Sequence, residues 1–257
     1  MERTRKMSEL RIGVVGRGRL GTALADALRK AGRDVAGPAG RGEAPSADAI
    51  VLCVPDAEIP AAAAVVADAA PFVGHTSGAT GLAALERTHP DGRFGLHPLQ
   101  TFTGSPGDSE RFNGCRCAVG GTSADALDAA LGIARSLGME PFELSDEQRP
   151  AYHAAASIAS NFLVALEAAA EEVAAGAGLD PLEARAALAP LVRTTVDNWA
   201  TLGPERALTG PVARGDELTV AAQREAVRAT APQLEALFDV MVERATALAT
   251  AREGAPA

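Results

Sequence analysis

Residues 10–32 read Leu10-Arg11-Ile12-Gly13-Val14-Val15-Gly16-Arg17-Gly18-Arg19-Leu20-Gly21-Thr22-Ala23-Leu24-Ala25-Asp26-Ala27-Leu28-Arg29-Lys30-Ala31-Gly32. The apolar run ending at Val15 has the length and β-branched content of a buried strand, and it stops at Gly16, Gly18 and Gly21, spaced G-x-G-x-x-G. Beyond them Leu20, Ala23, Leu24, Ala27 and Leu28 recur at three- and four-residue steps, and Gly32 stands where a helix with that apolar face would be capped. Strand, glycine turn and helix therefore come in the order that a dinucleotide's pyrophosphate needs. Gly16 makes the tight turn, Gly18 lets the backbone approach the phosphates, Gly21 lets the helix pack closely on the strand, and the helix N-terminus offers free N–H groups. Arg17, Arg19 and Leu20 complete the turn and are expected at the same ligand.

Working outward, residues 33–36 read as a second strand and 37–42, Gly-Pro-Ala-Gly-Arg-Gly, as a loop. A site for NAD places Asp or Glu at the end of this strand to hold the ribose hydroxyls. Asp34 lies too early for that, whereas Arg41 stands where a 2′-phosphate would lie and Arg17 is close by, so NADP is the expected cofactor. Residues 49–54 form a third apolar strand ending in Val54-Pro55-Asp56, and 59–70 a helix with proline in its first turn. A fourth strand over 72–75 opens into Thr76-Ser77-Gly78, and a fifth over 93–96 into His97-Pro98-Leu99-Gln100-Thr101. Ligands of open parallel sheets bind beyond the carboxyl ends of the strands, which makes Val54, Pro55 and Ser77 candidates for the cofactor and Gln100 and Thr101 candidates for a substrate. Residues 102–114 are irregular and read as a surface loop or as a flap over the crevice. A strand over 115–119, a helix over 123–137 with Ser123 as N-cap, and a strand over 139–144 complete a mainly parallel α/β Rossmann domain, residues 1–147.

From residue 148 onward no strand pattern occurs, and residues 148–257 are expected to form an all-α domain for substrate binding and dimerisation. Residues 151–175 read as one long helix, apolar nearly all round, 182–202 as one kinked helix or two short ones meeting at Pro190, and 217–229 and 233–251 as two more. On the long helix His153, Ser157, Ser160 and Asn161 fall on one polar stripe, which suits either a wet substrate pocket or helix–helix hydrogen bonds. The loop containing Thr209, Arg214 and Asp216 carries two further substrate candidates, Thr209 and Asp216, although Asp216 is also well placed to cap the helix that follows it.

Of 257 residues 47% are hydrophobic, enough for a large core, and the net charge of −9 with a pI near 5.0 argues against a nucleic-acid partner. The basic stretch over 1–6 is not followed by a signal-type apolar segment, and no run of eighteen apolar residues suggests a membrane, so a soluble cytoplasmic protein is expected. Cys53, Cys115 and Cys117 have neither a disulfide nor a zinc spacing, and no metal is expected. Lysine occurs only at Lys6 and Lys30, and tyrosine only at Tyr152, which removes a catalytic lysine in the second half and a Tyr-x-x-x-Lys dyad. A carbonyl or imine accepting hydride still needs a proton, and His153 and His97 are left as the candidate donors, with Asn161 as an orienting residue.

The glycine turn, Val54-Pro55-Asp56, His75-Thr76-Ser77-Gly78, His97-Pro98-Leu99-Gln100-Thr101-Phe102, Tyr152-His153 with Ser160-Asn161-Phe162-Leu163, and Leu208-Thr209-Gly210-Pro211 with Arg214-Gly215-Asp216 together resemble the Rossmann-like proteins that carry the C-terminal domain of unknown function 2520. That family is classed with NADP-dependent oxidoreductases and is similar in architecture to pyrroline-5-carboxylate reductase, ketopantoate reductase and the 6-phosphogluconate dehydrogenase group, whose helical domain commonly dimerises. The resemblance implies reduction of a small carbonyl or imine substrate, such as a keto acid, by hydride transfer in a homodimer. Where two of those relatives carry a lysine four residues before an asparagine, this chain has Ser157 before Asn161. Their lysine mechanism does not transfer, and an NADPH-binding or sensing protein without catalysis is the alternative.

Overall fold

The structure is a computed structural model and describes residues 9–253; the basic stretch over 1–6 lies outside the described residues. The chain divides into two compact units, parting between Ser160 and Asn161.

The first unit is built on strands β1 (Ile12–Val15), β2 (Val35–Ala39), β3 (Ala49–Leu52), β4 (Phe72–His75), β5 (Arg93–Pro98), β6 (Arg116–Gly121) and β7 (Glu140–Glu143), which form one sheet in the order β2-β1-β3-β4-β5-β6-β7. All neighbours are parallel except β5 and β6, which pair antiparallel with Leu96 opposite Val119. The central strands are buried along their whole length, as strands covered on both faces must be. Side-chain alternation sorts them into two cores: Ile12, Val14, Ala49 and Val51 face α1 (Arg19–Lys30) and the later α3 (Ala124–Ser136), while Val15, Ile50 and Leu52 join Ile59 and Ala63 of α2 (Ile59–Val65). Ser123 caps α3, its hydroxyl accepting the Ala126 N–H at 3.1 Å, as the sequence predicts.

Two expectations need correction here. Strand β2 runs to Ala39 rather than 36, taking in Gly37 and Pro38; as an edge strand paired only with β1 it tolerates a residue without an N–H. Helix α2 is seven residues long and stops at Val65, giving way to turns before Ala70. Of the two readings of the segment over 102–114 the structure has the loop: the Asp108 carboxylate accepts the N–H groups of Thr103 and Gly104, each at 2.8 Å, and Phe102 packs on Phe112 at 4.8 Å.

The helix expected over 151–175 is two, α4 (Arg149–Ala159) and α5 (Asn161–Ala175), because Ser160 leaves helical geometry at φ −121°, ψ −73°. Helix α4 belongs to the first unit, so the units part thirteen residues beyond the boundary suggested by composition. By length and composition residues 146–175 would suffice to cross a membrane. That stretch is nonetheless broken at Ser160 and carries the ion pair of Arg149 with Asp146.

The second unit contains α5, α6 (Pro181–Leu202), two single turns α7 (Pro204–Ala207) and α8 (Gly210–Ala213), α9 (Glu217–Thr230) and α10 (Glu235–Glu253). Helix α6 continues through Pro190, forfeiting one ladder bond without ending. It starts in a capping box in which Asp180 accepts from the N–H groups of Leu182 and Glu183 and Glu183 returns a bond to Asp180. Arg185 of α6 forks onto Glu171 of α5 with two 2.7 Å bonds, and Arg224 of α9 meets Asp239 of α10 at 2.6 Å.

Candidate functional site

The glycine turn between β1 and α1 opens onto a cavity of about 560 Å3, within the size range of small-molecule sites, about 300–1,000 Å3. Gly16 sits at φ +114°, where an L side chain is strained, and a Cβ on it would lie 2.1 Å from the Cys53 carbonyl oxygen. A Cβ on Gly21 would lie 2.0 Å from the Gly16 carbonyl oxygen, which fixes glycine where α1 meets the turn. At Gly18 a Cβ would meet nothing within 4 Å, and the residue is exposed in an ordinary extended conformation immediately before the first turn of α1. That open place at a helix N-terminus is the cradle a pyrophosphate requires. Arg17, Arg41, Val54 and Pro55 line this cavity with the turn. Arg19 lines a second cavity, together with Arg17, Gly18 and Arg29, and rests against Gly104, while Leu20 packs on the core.

The end of β2 holds an acid after all. With the strand running to Ala39, residues 40–43 become the turn at its carboxyl end, and Glu43 enters the cavity wall. Its Oε2 accepts the Gly40 N–H at 2.7 Å and meets Arg17 Nη2 at 2.9 Å. Arg41, also in the lining, donates to Glu58 Oε1 at 2.6 Å. Both arginines expected to face a phosphate are thus paired with carboxylates. The sequence signal for Glu43 was hidden by Gly37-Pro38, which reads as loop and moves the apparent strand end too early.

Beside this cavity the strand tails are tied together. Asp56, next to Pro55, accepts from Ser77 Oγ at 2.8 Å, and the same oxygen accepts the N–H groups of Ala79 and Thr80. Ser77 leads into Gly78, which two histidines clasp: a Cβ there would lie 2.8 Å from both His97 Nε2 and His153 Nδ1. His97 Nδ1 shares a 2.7 Å hydrogen bond with the Tyr152 hydroxyl, and the His97 and His153 rings stand 6.1 Å apart. His153 Nδ1 is buried and has no hydrogen-bond partner among the described residues.

Beneath lies Arg149, 1% exposed, its Nε on Asp146 Oδ1 at 2.8 Å and its Nη1 on the Ser77 carbonyl at 3.2 Å. Asp146 Oδ2 in turn accepts the Leu82 N–H. Burial pushes the imidazoles of His75 and His97 down to about 4; Arg149 adds to it for both, behind His153 in the case of His97. Burial also raises the Tyr152 hydroxyl to about 12. Burial thus holds His97 neutral near pH 7. The cysteines are structural: Cys115 and Cys117 are buried, and burial pushes the Cys53 thiol up to about 12.

Gln100 and Thr101 lie exposed beyond β5, the Gln100 side chain accepting the Thr101 N–H. Ser157 is half-buried on α4. The other candidates belong to the second unit. Asn161 opens α5, which begins beyond the break at Ser160. Thr209 is exposed before α8, and Asp216 caps α9, its two oxygens accepting from the N–H and hydroxyl of Thr219. Sequence reasoning missed Arg149, Asp146 and the part played by Tyr152. An arginine before a proline at an apparent domain boundary reads as solvated linker.

A family model described as a domain of unknown function, DUF2520, matches residues 115–245. Among curated proteins none matches the chain. Of solved structures, a Bacteroides fragilis protein named as a candidate NADP oxidoreductase superposes with a TM-score of 0.77 at 21% identity, covering 93% of this chain and 99% of that one. A Thermotoga maritima protein gives 0.74 at 24%, covering 94% and 99%. Plasmodium falciparum pyrroline carboxylate reductase, solved with NADP bound, gives 0.61 at 12%, covering 95% and 99%. At these identities the likeness is one of fold.

Proposed function

The chain belongs to the family of the domain of unknown function DUF2520, and from that premise we propose that it is an NADP-dependent oxidoreductase that reduces a small carbonyl or imine, of the keto-acid or cyclic-imine class. The observation that carries the reading is an adjacency within the first unit. The lining of the glycine-turn cavity includes Val54 and Pro55, and the next residue, Asp56, is bonded to Ser77, whose neighbour Gly78 lies between His97 and His153. A cradle for a dinucleotide thus adjoins a pair of imidazoles.

The residues present fit such a cofactor. Backbone N–H groups at the start of α1 would take the pyrophosphate in the space at Gly18, and Arg17 and Arg41 flank the place of a 2′-phosphate, which favours NADP over NAD. When bound, the reduced nicotinamide supplies the hydride; what is left for the chain is to orient the acceptor and deliver one proton. His97 serves as a neutral orienting donor in the tautomer proposed for it, the one in which Nδ1 accepts from the Tyr152 hydroxyl and Nε2, the nitrogen beside Gly78, carries the hydrogen. His153, whose Nδ1 has no other partner among the described residues, delivers the proton. Within the first unit Gln100, Thr101 and Ser157 remain the proposed substrate contacts.

The test is a panel of small keto acids and cyclic imines followed by NADPH absorbance, with His153→Ala alongside. Losing the acid should lower kcat by roughly a hundred- to ten-thousand-fold while the Kd for NADPH holds. If NADPH binds and no compound is reduced, the protein is instead an NADPH-binding or sensing protein.

A further inference from the structure

The charged groups around the proposed adenosine end of the cavity cancel: Arg17 and Arg41 are matched by Glu43 and Glu58, all four lining the same cavity. The two pairs are built differently. Arg41 and Glu58 touch through one 2.6 Å contact, and the Arg41 side chain is 84% exposed, so the pair opens at little cost. Glu43 is held in place. Its own N–H donates to the Gly40 carbonyl at 3.2 Å, its Oε2 accepts the Gly40 N–H at 2.7 Å, and its two oxygens bracket Arg17 Nη2 at 2.9 and 3.2 Å, while Arg17 Nε donates to the Pro38 carbonyl. A phosphate that draws Arg17 away leaves Glu43 still fixed by the turn, as a like charge beside the incoming dianion. For a cofactor with a free ribose, the same fixed carboxylate is a ready acceptor for two hydroxyls.

We infer that Glu43 is the specificity-determining residue of this site: it competes with the 2′-phosphate for Arg17 and holds the ribose hydroxyls of the unphosphorylated cofactor, so that discrimination between NADPH and NADH is smaller than two flanking arginines alone would give. The inference rests on the proposed dinucleotide site and refines it. Glu43 and Glu58 differ in consequence. Glu43 acts on both cofactors in opposite directions; Glu58 acts on the phosphorylated one, through Arg41.

The test is direct titration of the purified protein with NADPH and with NADH, read by nicotinamide fluorescence in the absence of substrate. Glu43→Gln keeps the side-chain shape and an acceptor for the Gly40 N–H. It should tighten NADPH and weaken NADH, each by about three- to tenfold, so that the ratio of the two Kd values moves by about ten- to a hundredfold. Glu58→Gln should move the ratio in the same direction through the NADPH arm. An unchanged ratio in Glu43→Gln overturns the inference, and so does weaker NADPH binding, which would mean that the carboxylate orients Arg17 for the phosphate. Failure of both cofactors to bind the unaltered protein is a different result and removes the dinucleotide reading itself.

Discussion

His75 shows how a single residue ties the site to stability. It ends β4 fully buried, its Nδ1 accepting the Ser77 N–H at 3.2 Å, and burial, with the nearby charge of Arg149, pushes its imidazole from 6.5 down to about 4. The unfolded chain therefore takes up a proton near pH 6.5 that the folded chain refuses until about pH 4. The stabilisation is complete above pH 6.5 and is lost as the pH falls through that window, by on the order of 3 kcal/mol at its lower end. His75→Asn keeps an acceptor for Ser77 and removes the titration. Thermal melts taken between pH 7 and pH 4 should show a shallower decline for the variant than for the unaltered protein; parallel declines would mean that other groups set the acid limb, His97 foremost among them. The same neighbourhood explains why Gly78 has no room for a side chain: the histidines that clasp it come from β5 and α4, fifty-six residues apart in the chain.

At the scale of elements, what was legible depended on whether a local pattern decided the outcome. The strand over 72–75 was read to the residue, and β1, β3 and α1 nearly so, because a short apolar run bounded by turns, or a three–four repeat ending in Gly32, settles the structure locally. Ser123 was recognisable as a cap for the same reason. Strand β2 was cut short because Gly37-Pro38 carries a loop composition, and only pairing with β1 holds it extended; the misplaced end hid Glu43. The break at Ser160 has no glycine or proline to announce it, so periodicity ran on from α4 into α5 and put His153 and Asn161 on one face. The histidine cluster itself had separate residues that could be named, but not their meeting. His97 finds Tyr152 across fifty-five residues, and Arg149 pairs locally with Asp146 three residues before it but also with the Ser77 carbonyl seventy-two residues away.

At the scale of the molecule, the second unit is short of interior. Among its described residues the buried apolar ones are Ala184, Val227 and Ala231, while Leu218 is 86% exposed, Val164 71%, and Phe162, Leu182, Leu191 and Trp199 are exposed with them. Faces of this kind are covered in a stable assembly, and a homodimer formed through this unit is the proposed one. Light scattering at micromolar concentration should give about twice the 26.1 kDa chain mass; a monomer there contradicts the proposal. The central claim, a dinucleotide cradle at the glycine turn, is tested most directly by Gly18→Asp. The backbone at Gly18 is ordinary and a Cβ there meets nothing within 4 Å, so the variant should fold with an unchanged melting temperature while its carboxylate occupies the place of the pyrophosphate. Titrated with NADPH, the unaltered protein should saturate and Gly18→Asp should bind at least about a hundredfold more weakly, the effect of a like charge facing the phosphates; equal binding by the two proteins would contradict the account.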